Sequence, residues 1–280
     1  MNNIQNLRNE VIEALAREGI SAQSKNVVKN GVVNHGVAVS TGSVSPCFYL
    51  EDFANLAVEE IVKAIKNRLA NDVFVKTKRF SVEDIDINNV TLFVTRGEAD
   101  NVVLRPFIDG LFYGVKIIAN IPGGTGGIKL TKSIAEAFGK SVDELFDLAA
   151  KNLRQGARIQ PMEEVIARIQ GVPVELIRSQ MPCPNFMFVA SDKYDMDGGA
   201  ILTDTETLHT FWVEHGDFWI IPSSVHELIF VPCGSTGDNN EGGSLSPMIR
   251  DVNESMVSPA ERLSNNLFKY SNACLKIFEA

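Results

Sequence analysis

The sequence predicts an α+β protein with mixed or antiparallel sheets, helices packed on them and many hairpin connections. Three observations carry this. Helical and strand-like hydrophobic periods interleave along the chain. Several strand-like pairs are separated by turn residues alone, as at Asn30-Gly31 and Gly123–Gly127. Helix-start signals such as Ser141-x-x-Glu144 are scattered between them, so the elements do not alternate regularly as a doubly wound parallel sheet requires.

The elements follow in order. Ile4, Leu7, Val11, Ala14 and Leu15 recur at helical spacing over 3–18, and Gly19 is the stop. Residues 27–33 read as a hairpin, because Asn30-Gly31 suits the positive φ angles of a type I′ turn. Asp52 is positioned to cap a helix with the inner stripe Phe53, Ala57, Ile61, Ala64, Ile65 and Leu69. Strands are expected at 73–80, 90–96, 102–108 and 111–121, the last turning through 123–127 into Ile128-Lys129-Leu130. A short helix starts near Ser133. A stronger one starts at Ser141, where Glu144 completes a capping box and Leu145, Leu148, Ala149 and Leu153 form the buried stripe. Pro161 opens another helix over 161–169.

Strand 186–190, an acidic turn, strand 199–203 and helix 204–214 follow. Two apolar runs, 217–221 and 225–231, then flank the corner Pro222-Ser223-Ser224. Their apolar character predicts adjacent antiparallel strands in the middle of a sheet. Residues 233–246 read as a flexible loop. After them Ser258-Pro259-Ala260-Glu261 forms a second capping box, and Leu267–Tyr270 a closing strand. The chain thus divides into an N-terminal helix–hairpin–helix region (1–70), a central α+β body (71–232), the loop (233–246) and a tail packed back on the body (247–280).

Composition narrows the function classes. The 280 residues are 45% hydrophobic and 22% charged, within the globular range. With 26 basic and 35 acidic residues the net charge is −9, which argues against sequence-independent nucleic-acid binding. No apolar stretch is long enough to span a membrane. The first ten residues lack the basic start and apolar core of a secretory signal. Cys47, Cys183, Cys233 and Cys274 form no CxxC pair, so reduced thiols, a cytoplasmic location and no zinc site are expected.

Each chemical template lacks an essential group. In the Gly-rich stretch Gly123–Thr131, Ile128 separates Gly127 from Lys129, and Leu130 stands where a phosphate loop needs its hydroxyl. In a calcium-loop register over the acidic turn, Lys193 falls at the first ligand position and Asp204 at the last. His226-Glu227 begins an HExxH motif, but position 230 is Phe. No metal and no cofactor are therefore expected. Ser224 and His226 would share a strand face, within reach of a hydroxyl–imidazole bond, yet no GxSxG elbow accompanies them. Ser223, Ser224, His226, Glu227 and Asn253 are the candidate binding surface. A hydrolase built on Ser224, His226 and Glu227, with Asp251 or Glu254 as orienting carboxylate, is the alternative.

Four places carry a resemblance: Asn30-Gly31 through Ser45-Pro46-Cys47-Phe48-Tyr49-Leu50-Glu51-Asp52; Lys129-Leu130-Thr131; Phe218 through Glu227; and Val252-Asn253 through Tyr270. In these the chain resembles domain of unknown function 5688, a family of Firmicutes, their phages and integrated elements. The resemblance implies a cytosolic α+β accessory protein and transfers no catalytic residue. The expected role is that of a non-enzymatic binding or regulatory protein engaging a host or element-encoded partner.

Overall fold

In the computed structural model, the apolar runs around Pro222 lie at the centre of a six-stranded sheet. The structure describes residues 2–41, 45–71, 85–121, 124–181, 186–234 and 241–278. The chain divides into two compact units, one of residues 1–87 and 117–128, the other of 88–116 and 129–280.

In the smaller unit, helix α1 (Asn2–Arg17) precedes a three-stranded sheet of β1 (Ala22–Lys29), β2 (Val32–Val39) and β3 (Cys47–Tyr49). Asn30 (φ 49) and Gly31 (φ 73) close the β1–β2 hairpin as the sequence requires. Helix α2 (Val58–Asn71) follows. Val11 and Leu15 from α1, Ile61 and Ile65 from α2, and Val37 from β2 are fully buried together. Asp52 does not cap α2, contrary to expectation. Residues Leu50–Phe53 form a separate 3-10 turn, and α2 starts later, where Glu60 reaches back to accept from the Ala57 N–H at 2.9 Å. A stripe at helical spacing therefore does not make one continuous helix. The expected strand at 73–80 lies outside the described residues.

In the larger unit, β4 (Val90–Thr95) and β5 (Leu104–Pro106) flank β6 (Phe112–Ile121). The end of β6 belongs to the smaller unit, where β7 (Gly124–Lys129) pairs with it. Next come α3 (Lys132–Ala137), with Thr131 as its N-cap, and α4 (Val142–Gly156). The expected capping box is present: Glu144 N–H donates to Ser141 Oγ, and Glu144 Oε2 accepts from the Ser141 N–H.

The six-stranded antiparallel sheet runs in the order β13-β12-β10-β11-β9-β8. Its strands are β8 (Arg158–Pro161), β9 (Phe188–Ser191), β10 (Phe218–Ile221), β11 (Leu228–Pro232), β12 (Leu267–Ser271) and β13 (Cys274–Phe278). The register pairs Trp219 with Val231 and Ile221 with Ile229, so β10 and β11 are the antiparallel central neighbours anticipated. The remaining helices are α5 (Met162–Gln170), α6 (Val174–Gln180), α7 (Thr205–His215) and α8 (Glu241–Ser255). One sheet face packs Phe218, Phe230 and Phe188 against Phe211 of α7, with ring centroids about 5 Å apart. On the other, Trp219, Ile221 and Val231 meet Leu245 and Ile249 of α8.

Three further expectations are corrected. Residues Gly198–Thr203 form a buried 3-10 turn, not a strand, since a short apolar run has no period to distinguish the two. Ser258–Glu261 forms a single turn, with Glu261 N–H donating to Ser258 O, and no helix grows from it. Helix α8 begins at Glu241, inside the stretch assigned to a loop. Among the described residues, no helix is long and apolar enough to cross a membrane.

Candidate functional site

The corner between β10 and β11 is longer than expected. Strand β11 begins at Leu228, so residues 222–227 are irregular and strand alternation does not place Ser224 beside His226. The polar groups of the corner are instead engaged with backbone. Ser224 Oγ accepts from the His226 N–H at 3.0 Å. Ser224 N–H donates to Glu227 O, and Val225 N–H to Glu261 O at 2.9 Å. Ser223 Oγ donates to Glu227 Oε1 at 3.4 Å.

His226 joins the corner to the acidic turn. Its Nδ1 bonds the Met196 carbonyl, and a carbonyl can only accept, so Nδ1 carries the proton. This leaves Nε2 as the open ring nitrogen, 3.8 Å from Glu261 Oε1, beyond hydrogen-bond distance. The His226 carbonyl accepts twice, from Gly198 N–H and from Ser191 Oγ, each at 2.9 Å. A side chain at Gly198 would be driven into that carbonyl, which explains the glycine.

The acidic turn is organised by Asp192, 2% exposed, whose Oδ1 accepts from Met196 N–H at 2.8 Å and Tyr194 N–H at 3.1 Å. Asp197 lies 2.5 Å from Lys116 Nζ. Burial pushes the Asp197 carboxyl above the ordinary aspartate range, while Lys116 pulls it down and Asp192 adds to the rise. Asp195 stands 4.0 Å from Arg168. Each carboxylate of the turn is thus engaged by amides or a cation through one oxygen, while Asp192 Oδ2 and Asp197 Oδ2 are buried without a hydrogen-bond partner among the described residues. Among the described residues, no group of three or more His, Cys, Asp or Glu could hold a metal ion.

His226 borders a cleft of about 340 Å³ on one face of the sheet. Its floor follows the register: Arg158 is opposite Ser191, and Gln160 is opposite Val189, which is opposite Ile229. Helix α5 contributes Val165, Arg168 and Ile169, which share a helix face at i, i+3 and i+4. Asp195 and Glu227 complete the lining. A larger cleft of about 760 Å³ opens on the other face of β8, lined by Ile159, Pro161, Phe188, Phe211 and Arg154 among others. There Arg154 is bound to Asp204 at 3.0 Å and Glu206 at 2.7 Å, so its charge is already compensated.

The structure brings Ser223, Ser224, His226 and Glu227 together and holds Asn253 apart from them. Asn253 is 2% exposed, and its amide donates to Ser264 O and Asn265 Oδ1. Asp251 and Glu254 sit on exposed positions of α8. Sequence reasoning missed Arg158, Gln160 and the Met196 carbonyl. The alternation Arg158-Ile159-Gln160-Pro161 was the available signal for a short strand. A backbone carbonyl has no signal in sequence.

No curated protein and no solved structure matches the chain. Residues 113–272 match the model of a family of unknown function (DUF5688), a stretch that includes Lys129–Thr131, the corner and Asn253–Tyr270 but not Asn30–Asp52. The match covers more than half of the chain and takes in the central strands, the acidic turn and the cleft. The chain belongs to the family of unknown function DUF5688.

Proposed function

We propose that the chain is a non-enzymatic binding protein whose contact surface is the cleft beside His226. One observation carries this reading: among the described residues Ser224 bonds the His226 backbone and not its ring. Ser224 Oγ accepts from the His226 backbone N–H, and Nε2, the ring nitrogen that would act as base, faces Glu261 at 3.8 Å and not a serine hydroxyl. A nucleophile and its base must bond each other, with the base oriented by a third group. We extend the reading to a regulatory accessory role in the cytoplasm, in service of a phage or mobile element and directed at a host or element-encoded protein. The thiols of Cys47 and Cys274 suit a reducing compartment.

The test is capture from a native host with the full chain as bait, beside an Arg168→Glu variant. A partner held by the wild type and lost by the variant is the expected result. Stoichiometric covalent labelling of Ser224 by a fluorophosphonate would overturn the binding reading in favour of the hydrolase.

A further inference from the structure

We infer that the cleft beside His226 recognises a monocarboxylate carrying a short apolar extension. This rests on the binding reading above and names the chemistry that the site takes.

Arg158 carries the argument. Its side chain is half-buried at the edge of the sheet and lines the cleft, with no ion pair or hydrogen bond among the described residues. Gln160, two residues along the same strand face, is likewise without a side-chain bond among the described residues and lines the same cleft. A guanidinium presents a planar fork of donors matched to a carboxylate, and one with no protein partner keeps that fork available to an anionic ligand. Every other arginine lining a cleft has a carboxylate or carbonyl close by: Arg154 holds Asp204, Arg168 faces Asp195, and Arg262 donates to Val257 O.

The nearest carboxylates do not satisfy Arg158. Glu227 Oε1 accepts from Ser223 Oγ. Asp195 is engaged by Arg168 instead.

The charge balance selects the ligand's valence. Arg158 and Arg168 are matched in number by Asp195 and Glu227, so a dianion such as phosphate is opposed by these carboxylates about twice as strongly as a monoanion. A single negative charge paired with Arg158 keeps that repulsion smallest. The apolar component is selected by Val165, Val189 and Ile169. Ile169 is 78% exposed on the helix face that lines the cleft, where it offers apolar surface to a ligand. His226 borders the same space, which makes its ring a reporter of occupancy.

A free small carboxylic acid and the carboxyl terminus of a peptide share this chemistry, and two probes separate them. Sodium hexanoate and the peptide acetyl-Ala-Leu-Val are titrated into the full chain, each beside its neutral amide, with the His226 ring resonances as readout and calorimetry for affinity. Both acids are expected to move the ring resonances saturably, with the amides about ten-fold weaker or worse. Arg158→Met should weaken the acids by about ten- to a hundred-fold, the effect of losing a charge-assisted bond, with the thermal melt unchanged. Equal affinities assign the site to free acids, and a much tighter peptide assigns it to a partner's carboxyl terminus. Either supports the inference. Absence of saturable binding by both acids, or amides that bind as well as acids, overturns it, and that contrast needs no variant. Capture that persists alongside such a failure would remove only the carboxylate and leave the binding reading in place.

Discussion

Lys116 and Asp197 form a buried ion pair, with Nζ 2.5 Å from Oδ1 and side chains 14% and 5% exposed. Lys116 lies on β6 and Asp197 at the end of the acidic turn, so the pair ties that turn to a second sheet of the larger unit. The turn in turn supplies the Met196 carbonyl that holds the His226 ring. The orientation of the candidate site therefore depends on a charge pair far from it in sequence.

Removing one partner leaves the other charged and buried. Lys116→Met is expected to cost about 3–5 kcal/mol at neutral pH, whereas Lys116→Met combined with Asp197→Leu should recover most of that loss. Urea melts of both variants check this, and equal stability of the single and double variants would contradict it. A pH profile gives a second readout. Burial raises the Asp197 carboxyl above its ordinary 3.8, so the folded state binds this proton more tightly than the unfolded one. Stability from this group is therefore lost as pH rises from the ordinary value through the folded one, and Asp197→Asn should flatten that portion of the profile.

Gly198 is predicted to tolerate no side chain. A Cβ there would lie 2.6 Å from the Ser191 Cα and 2.8 Å from the Ala190 carbonyl oxygen, both backbone atoms of β9, which is paired on both sides. The Gly198 N–H also donates to the His226 carbonyl. Gly198→Ala should cost about 3 kcal/mol or more, at the upper end for overpacking, because no flexible side chain can move aside. A thermal melt within a degree or two of wild type would refute the close approach.

Truncation after Gly243 should abolish cooperative folding. It removes β12, which pairs with β10 through Phe218–Tyr270 and Ile220–Phe268. Leu267 and Phe268 are fully buried, and Tyr270 is 2% exposed. Each such side chain contributes about 1.5–3 kcal/mol by burial, against a net domain stability of roughly 5–15 kcal/mol. Dye binding to exposed apolar surface and loss of the melting transition are the expected outcomes. A cooperative melt like that of the full chain would show β12 to be dispensable.

Sequence alone was decisive where the controlling interactions are local. The Asn30-Gly31 turn needs only its own φ angles, and the Ser141–Glu144 box only its own four residues. The β10–β11 pairing followed from two apolar runs that could be covered only inside a sheet. Local signals failed where a neighbour distant in the chain decided the outcome. Gly198–Thr203 became a 3-10 turn against the 225–226 carbonyls, and Ser258–Glu261 stopped at one turn with its Glu261 carbonyl bonded to Val225 N–H. The corner residues Ser223, Ser224, His226 and Glu227 were legible as a polar cluster between prolines. Their use was not, because it depends on a carbonyl at Met196 and on which nitrogen of His226 meets it. Arg158 was likewise unremarked in sequence, since an arginine becomes significant only when the sheet register places no carboxylate beside it. Backbone preference and hydrophobic period act over a few residues and can be read along the chain. Satisfaction of buried polar groups is a property of three-dimensional neighbours, and only the tertiary structure decides it.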